Sequence, residues 1–115
     1  MDRLKIVVKA LDDKRAENID VLEISELTSL GDYFVICTCN SNVQVRAAAG
    51  EVEEKMKEAG FAPMHIEGYR GGSWILLDYS DVVVHIFTDE MREFYDIERL
   101  WTDAKEIALD FSDDA

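Results

Sequence analysis

Three carboxylates and a glycine-rich turn are the first residues in this chain whose types could do chemistry. Glu67 precedes Gly71-Gly72-Ser73, and Asp78 and Asp81 lie within the strongly apolar run from Trp74 to Phe87 that follows. Gathered at one end of a hairpin, they would offer carboxylates for Mg²⁺ and a small-residue loop for phosphate, the equipment of nucleotidyl or phosphoryl transfer. The spacing argues against it. Two metal ions of a polymerase-type site need carboxylates on one strand face, at Asp-x-Asp or Asp-x-Glu spacing, whereas Asp78 and Asp81 are three apart and straddle a turn. Neither a Walker lysine pattern nor Gly-x-Gly-x-x-Gly occurs. The glycine pair reads instead as a loop that lets Trp74 enter a sheet.

Metal and nucleophile chemistry fare no better. Cys37, Cys39, His65 and His85 are borderline ligands, but the Cys-x2-Cys and His-x3-His pairs that mark zinc sites are missing, so no metal is expected. The two cysteines, at i and i+2 of an extended stretch, are poor disulfide partners and read as reduced thiols. Ser73, Cys37 and Cys39 lack a local activating motif. His85, within VVVHIF, reads as a hydrogen-bonded core residue. No catalytic residue and no cofactor is assigned.

Recognition chemistry remains. Trp74, Tyr79, Arg92, Phe94 and Tyr95 cluster along the hairpin and the helix after it, and Trp, Tyr and Arg dominate binding hot spots. Phe87 and Phe94 read as ordinary core. For Trp74, Tyr79, Arg92 and Tyr95, core and contact surface both stay open.

The elements that must position these residues follow from hydrophobic period. Residues 73–79 and 82–88 form a hairpin around Ser80-Asp81. Alternation then puts Ile75, Leu77 and Tyr79 with Val82, Val84 and Ile86 on one wholly apolar face. Trp74, Leu76 and Asp78 face the other way with Phe87, His85 and Val83. Upstream, Leu4, Val7, Val8 and Leu11 predict a helix from residue 3 to about 17. Residues 18–24 predict a strand buried within the sheet, and residues 33–40 a second. Ser41 and Gln44 form a capping box before the stripe Val45, Ala48, Val52, Met56, closed by Gly60. A short strand at 64–67 precedes the hairpin. After it, Asp89 opens a helical stretch through Met91, Phe94 and Tyr95, with a break near Asp96 and a helical period continuing to Phe111. The fold expected is one α/β domain with a mixed sheet of about five strands flanked by helices. The crossover between the second and third strands allows a parallel pair.

The chain of 115 residues carries 25 acidic against 12 basic residues, a formal charge of −13. Such a surface repels phosphate backbones and attracts basic partners, although acidity is also a common solubility device. No direct nucleic-acid binding is expected. No run approaches the roughly 18 apolar residues of a membrane span. Residues 1–9 carry neither a signal peptide's apolar stretch nor a transit peptide's bias, so a cytoplasmic protein or a mature organellar one is expected.

The combination W-x3-D-x2-DVVVH and R-x2-Y-x2-E-x-LW, with LGDYFVICT, the helix after Ser41 and Glu67-Gly68, resembles the ribosomal silencing factor family, also called Iojap-like. The resemblance runs from about residue 3 to 101, within a single domain of residues 1–115 whose last part, 102–115, is read as an extension. It implies a non-enzymatic translational repressor that binds the large ribosomal subunit through a basic large-subunit ribosomal protein, number fourteen in the standard count. Bound there, it would block joining of the small subunit when nutrients are scarce. The implied fold is similar to that of nucleotidyltransferases, without the active carboxylate pattern. The alternative is therefore a small nucleotidyltransferase or nucleotide-binding enzyme on the same fold. The family's recognition residues carry over to Trp74 and Tyr79, and around them to Asp78, Asp81, His85, Arg92 and Tyr95; Tyr79 stands where relatives often have another apolar residue. An apolar second sheet face on so small a chain also suggests a homodimer in the free state.

Overall fold

Strand alternation fixes the centre of the fold. In the computed structural model, which describes residues 2–25, 32–95 and 105–106, the hairpin strands are β4 (Trp74–Asp78) and β5 (Val82–Thr88). Their register pairs Trp74 with Phe87, Ile75 with Ile86, Leu76 with His85, Leu77 with Val84 and Asp78 with Val83, as a two-residue loop at Ser80-Asp81 requires. Ser80 takes a positive φ of 76°, and the Asp78 carboxylate accepts its N–H at 2.8 Å, which closes the turn.

Around this hairpin stand α1 (Asp2–Asp13), β1 (Glu17–Glu23), β2 (Tyr33–Cys39), α2 (Asn42–Glu58), β3 (His65–Glu67), α3 (Asp89–Tyr95) and the two-residue β6 (Lys105–Glu106). The sheet order is β3-β4-β5-β2-β1-β6, with β2 and β5 parallel and every other pair antiparallel. The parallel partner of β2 is thus β5 and not the short third strand. Val82–Phe87 are all buried, so β5 takes a central place, whereas β3 is three residues long with both ends exposed and makes a blunt edge.

Three further expectations change. β1 is not an interior strand along its length: β6 covers only Leu22 and Glu23, and a register shift between Glu17 and Asp20 bulges its first half, whose first two residues are exposed. Helix α1 stops before residue 14, because Arg15 turns left-handed at φ 62° and the Ala16 N–H donates to Leu11 O at 3.0 Å, a cap usually made with glycine. Residues 105–106 are strand where the period predicted helix; the unpaired edge of β1 at Leu22–Glu23 engages their backbone, and pairing outweighs local propensity. The rest of that expected helix, Ile97 to Ala104 and Ile107 to Phe111, lies outside the described residues.

Helix α2 begins as expected, with the Ser41 hydroxyl accepting the Gln44 N–H at 3.1 Å. The Gln44 side chain does not close the box on Ser41. Its carbonyl accepts the Asn40 N–H at 2.6 Å, and its amide donates to Lys14 O and Arg15 O at 3.1 and 3.2 Å, tying the end of α1 to the start of α2.

Helices α1 and α2 both pack on one sheet face. There Leu4, Val7, Leu11, Val45, Val52 and Met56 meet Val35, Cys37, Ile75, Leu77, Val84 and Ile86, all essentially inaccessible. The opposite face carries a second cluster of Leu22, Ile24, Phe34, Ile36, Val83 and Phe87, against which Trp74, Leu76 and Met91 pack half-buried. Short α3 belongs to this side. Its first turn is capped by Thr88, whose hydroxyl accepts the Met91 N–H at 3.4 Å, rather than by Asp89. Among the described residues no helix is long and apolar enough to cross a membrane.

Candidate partner-binding face

The second sheet face gathers an aromatic stack. Trp74 opens β4, and its indole N–H donates to Nδ1 of His85 at 3.2 Å. The indole stacks on Phe87 with centroids 4.9 Å apart and meets the Tyr95 ring at 4.6 Å. Behind it, His85 packs edge-on against Phe34 at 4.9 Å. In front, Phe94 meets Tyr95 edge-on at 5.1 Å and is 77% exposed, with Tyr95 45% exposed. Asp89, Glu90 and Glu93, on the same short helix as Phe94 and Tyr95, are all exposed and make its surface acidic.

A built turn holds Trp74 in place. The Arg46 guanidinium on α2 donates to Tyr69 O at 3.0 Å and Arg70 O at 2.9 Å, and the Tyr69 hydroxyl donates to the Glu53 carboxylate at 2.6 Å. Burial and that carboxylate push the Tyr69 phenol well above its ordinary range. The loop turns at Gly68 and Gly72, both with positive φ, and Gly72 N–H donates to Gly68 O at 2.9 Å. These residues, invisible as a site in sequence, were signalled only by the density of glycine in EGYRGG.

The sequence-derived residues separate on this map. Trp74, His85 and Tyr95 meet. Tyr79 lies apart from them: alternation puts it on the helix-covered face, 4% exposed, where burial raises its phenol to about 12. Asp78 and Asp81 lie at the turn end of the hairpin, Asp78 roughly 13 Å along the strand from Trp74 and Asp81 beyond it. Asp78 is engaged in the turn, and Asp81 pairs with Arg3 at 2.6 Å. Glu67 lies on the edge strand β3 within 2.9 Å of His65, whose cross-strand partner is Asp78. Arg92 adjoins the stack but points inward, with its fork on Asp20 and Asn18 O, both at 2.6 Å, and 12% of its side chain exposed. Phe94, expected in the core, stands in solvent. Met91 and Tyr95 share the sheet-facing side at i, i+4, and Phe94 falls outside it. Cys37 and Cys39 are buried on the helix-covered side, away from His85. Among the described residues no group of His, Cys, Asp and Glu could hold a metal ion.

His85 also makes a pH-dependent contribution. Because Nδ1 accepts the indole proton, the ring is neutral with its hydrogen on Nε2, and burial lowers its pKa from 6.5 to about 4. The folded pKa lies below the unfolded one, so the unfolded chain takes up the proton first as pH falls. The contribution is complete above pH 6.5 and is lost progressively toward pH 4, about 3 kcal/mol in all. Urea unfolding at pH 7 and 4.5 is expected to show this loss in the wild type and a smaller one in His85→Gln. Equal losses in the two proteins would refute the assignment.

Comparison with known proteins supplies the context. The family model described as "Ribosomal silencing factor during starvation" matches residues 1–115. The chain is 44% identical over 108 residues to a protein of Bacillus subtilis (strain 168) named Ribosomal silencing factor RsfS, covering 94% of this chain and 92% of that one. It is 35% identical over 108 residues to the chloroplastic protein Iojap of Zea mays, where it covers 91% of itself and 46% of the maize protein. A crystal structure of a Chromobacterium violaceum protein superposes with a TM-score of 0.86 at 42% identity, covering 88% of this chain and 84% of the other. One from Bacillus halodurans gives 0.83 at 38% identity, covering 92% and 96%.

Proposed function

Because this chain belongs to the ribosomal silencing factor family, we propose that it represses translation by occupying the large ribosomal subunit and keeping the small subunit from joining when nutrients are scarce. The docking partner in this reading is a basic large-subunit ribosomal protein, number fourteen in the standard count. The observation that carries it is the stack of Trp74, Tyr95 and Phe94, half-buried at its base and exposed at its tip, beside a helix that also exposes Asp89, Glu90 and Glu93. Aromatic anchors supply binding energy at the centre of an interface, and an acidic surface selects and steers a basic partner. A charge of −13 disfavours bare ribosomal RNA as the docking surface.

Repression by exclusion needs no bond-making step. A body measuring 34 × 33 × 28 Å, seated on the joining face, denies a neighbouring subunit its contacts. The same exposed aromatics give the free protein a surface for self-association, so a homodimer through this face competes with ribosome binding.

Cosedimentation with purified subunits tests the proposal. The protein is expected to travel with large subunits and not with small ones, and to lower the yield of joined ribosomes when added before mixing. Equal recovery on both subunits, or on neither, would overturn it.

A further inference from the structure

We propose that Arg92 is a positioning residue, which sets the orientation of α3 by clamping it to the bulge of β1 and so holds Tyr95 against Trp74; this rests on the docking face proposed above. Helix α3 has seven residues and buries none of them fully, and an isolated helix of that length is not stable in water. Its place on the sheet therefore depends on tertiary ties. One is made by Arg92, whose two terminal nitrogens reach 74 and 72 residues back along the chain, to Asn18 O and the Asp20 carboxylate, each at 2.6 Å.

The receiving side is shaped for this contact. Pairing of β1 with β2 runs in register from Asp20 to Glu23, but the shift between Glu17 and Asp20 takes Asn18 out of the ladder. Asn18 adopts a left-handed φ of 51°, a conformation asparagine tolerates better than most residues. The bulge presents its carbonyl beside the Asp20 side chain, and the planar guanidinium matches both acceptors with fixed donors. The side chain of Arg92 is 12% exposed, so the fork is used within the protein rather than offered to a partner. Tyr95 lies three residues on, nearly one turn away, so fixing the rotation of α3 at Arg92 fixes the approach of the Tyr95 ring to the indole, at 4.6 Å.

The test uses the full chain and reads geometry and binding separately. Cross-peaks between the Trp74 indole and the Tyr95 ring in NMR spectra report the contact without any ribosome. Arg92→Ala and Asp20→Ala are each expected to weaken those cross-peaks and to lower affinity for large subunits about tenfold, the equivalent of one charged hydrogen bond. The melting transition should stay cooperative in both. Arg92→Lys keeps the charge but not the fork, and should fall between wild type and Arg92→Ala. Arg92→Ala should add little in the Asp20→Ala background, because the two act through each other. Full Tyr95–Trp74 cross-peaks in Arg92→Ala would overturn the inference, including when binding is lost, since that pattern makes Arg92 a direct contact. Additive losses in the double variant would also overturn it. Unchanged large-subunit binding by both Trp74→Ala and Tyr95→Ala would instead refute the docking face, while the cross-peaks still decide the clamp.

Discussion

Trp74→Ala is expected to weaken large-subunit binding by about 2 to 4 kcal/mol, roughly 30- to 1,000-fold, as truncation of a central aromatic anchor does. The same change will also cost stability, because Trp74 is neither free nor fully buried. Its ring packs on Phe87 and Tyr95, and its N–H satisfies Nδ1 of His85. Losing that hydrogen bond costs about 1 kcal/mol, with part of the indole's burial in addition, and the total stays below the 3 to 5 kcal/mol of a fully buried tryptophan. Tyr95→Ala separates the two effects, since Tyr95 is 45% exposed and sits on the outer side of Trp74. It should melt close to the wild type yet bind at least about tenfold more weakly. Titration of large subunits beside thermal unfolding checks both variants. Wild-type affinity in both would remove the aromatic stack from the interface.

Gly68→Ala is expected to be the most destabilising single methyl addition in the loop, by about 3 to 5 kcal/mol. Its φ of 90° is costly for any residue with a Cβ, and an ideal Cβ there would stand 1.9 Å from Trp74 O and 3.0 Å from Trp74 C. The obstacle is backbone, which cannot swing aside as a side chain can. Gly60 provides the control: its φ of 92° is nearly the same, but a Cβ there meets nothing within 4 Å. Gly60→Ala should therefore cost about 1 to 2 kcal/mol, the conformational strain alone. Gly72→Ala should lie between them, because its Cβ would approach the Arg46 guanidinium at 2.9 Å, a group that can shift only by giving up carbonyls of Tyr69 and Arg70. Urea unfolding of the three variants orders them. A Gly68→Ala protein no less stable than Gly60→Ala would show that the Gly68–Trp74 approach is not rigid.

What the sequence determined by itself was local and periodic. Alternation across Ser80-Asp81 set the hairpin register and the side of every residue from Trp74 to Phe87, because a strand offers only two faces and a two-residue loop leaves one pairing. The Ser41 cap and the stripe from Val45 to Met56 placed α2 for the same kind of reason. Which aromatics share the open face was only partly legible. Tyr79 and Trp74 look alike in composition, and parity alone separates them: one is buried under α2 and the other supports an open stack.

Tertiary structure decided what depends on residues far apart in the chain. The parallel pairing of β2 with β5 rather than β3 follows from which strand can be buried on both faces, a property of the assembled sheet. For Arg92, core and contact both stay open in sequence, because nothing near it announces a bulge at Asn18 more than seventy positions earlier. Gly68 reads as a loop residue until the Trp74 carbonyl is seen against it. Phe94 is exposed because a helix of two turns buries only the side it lays on the sheet, the side that carries Met91 and the contact of Tyr95 with Trp74. Hydrophobic period tells which residues share a face; only the packed neighbours determine which face is covered.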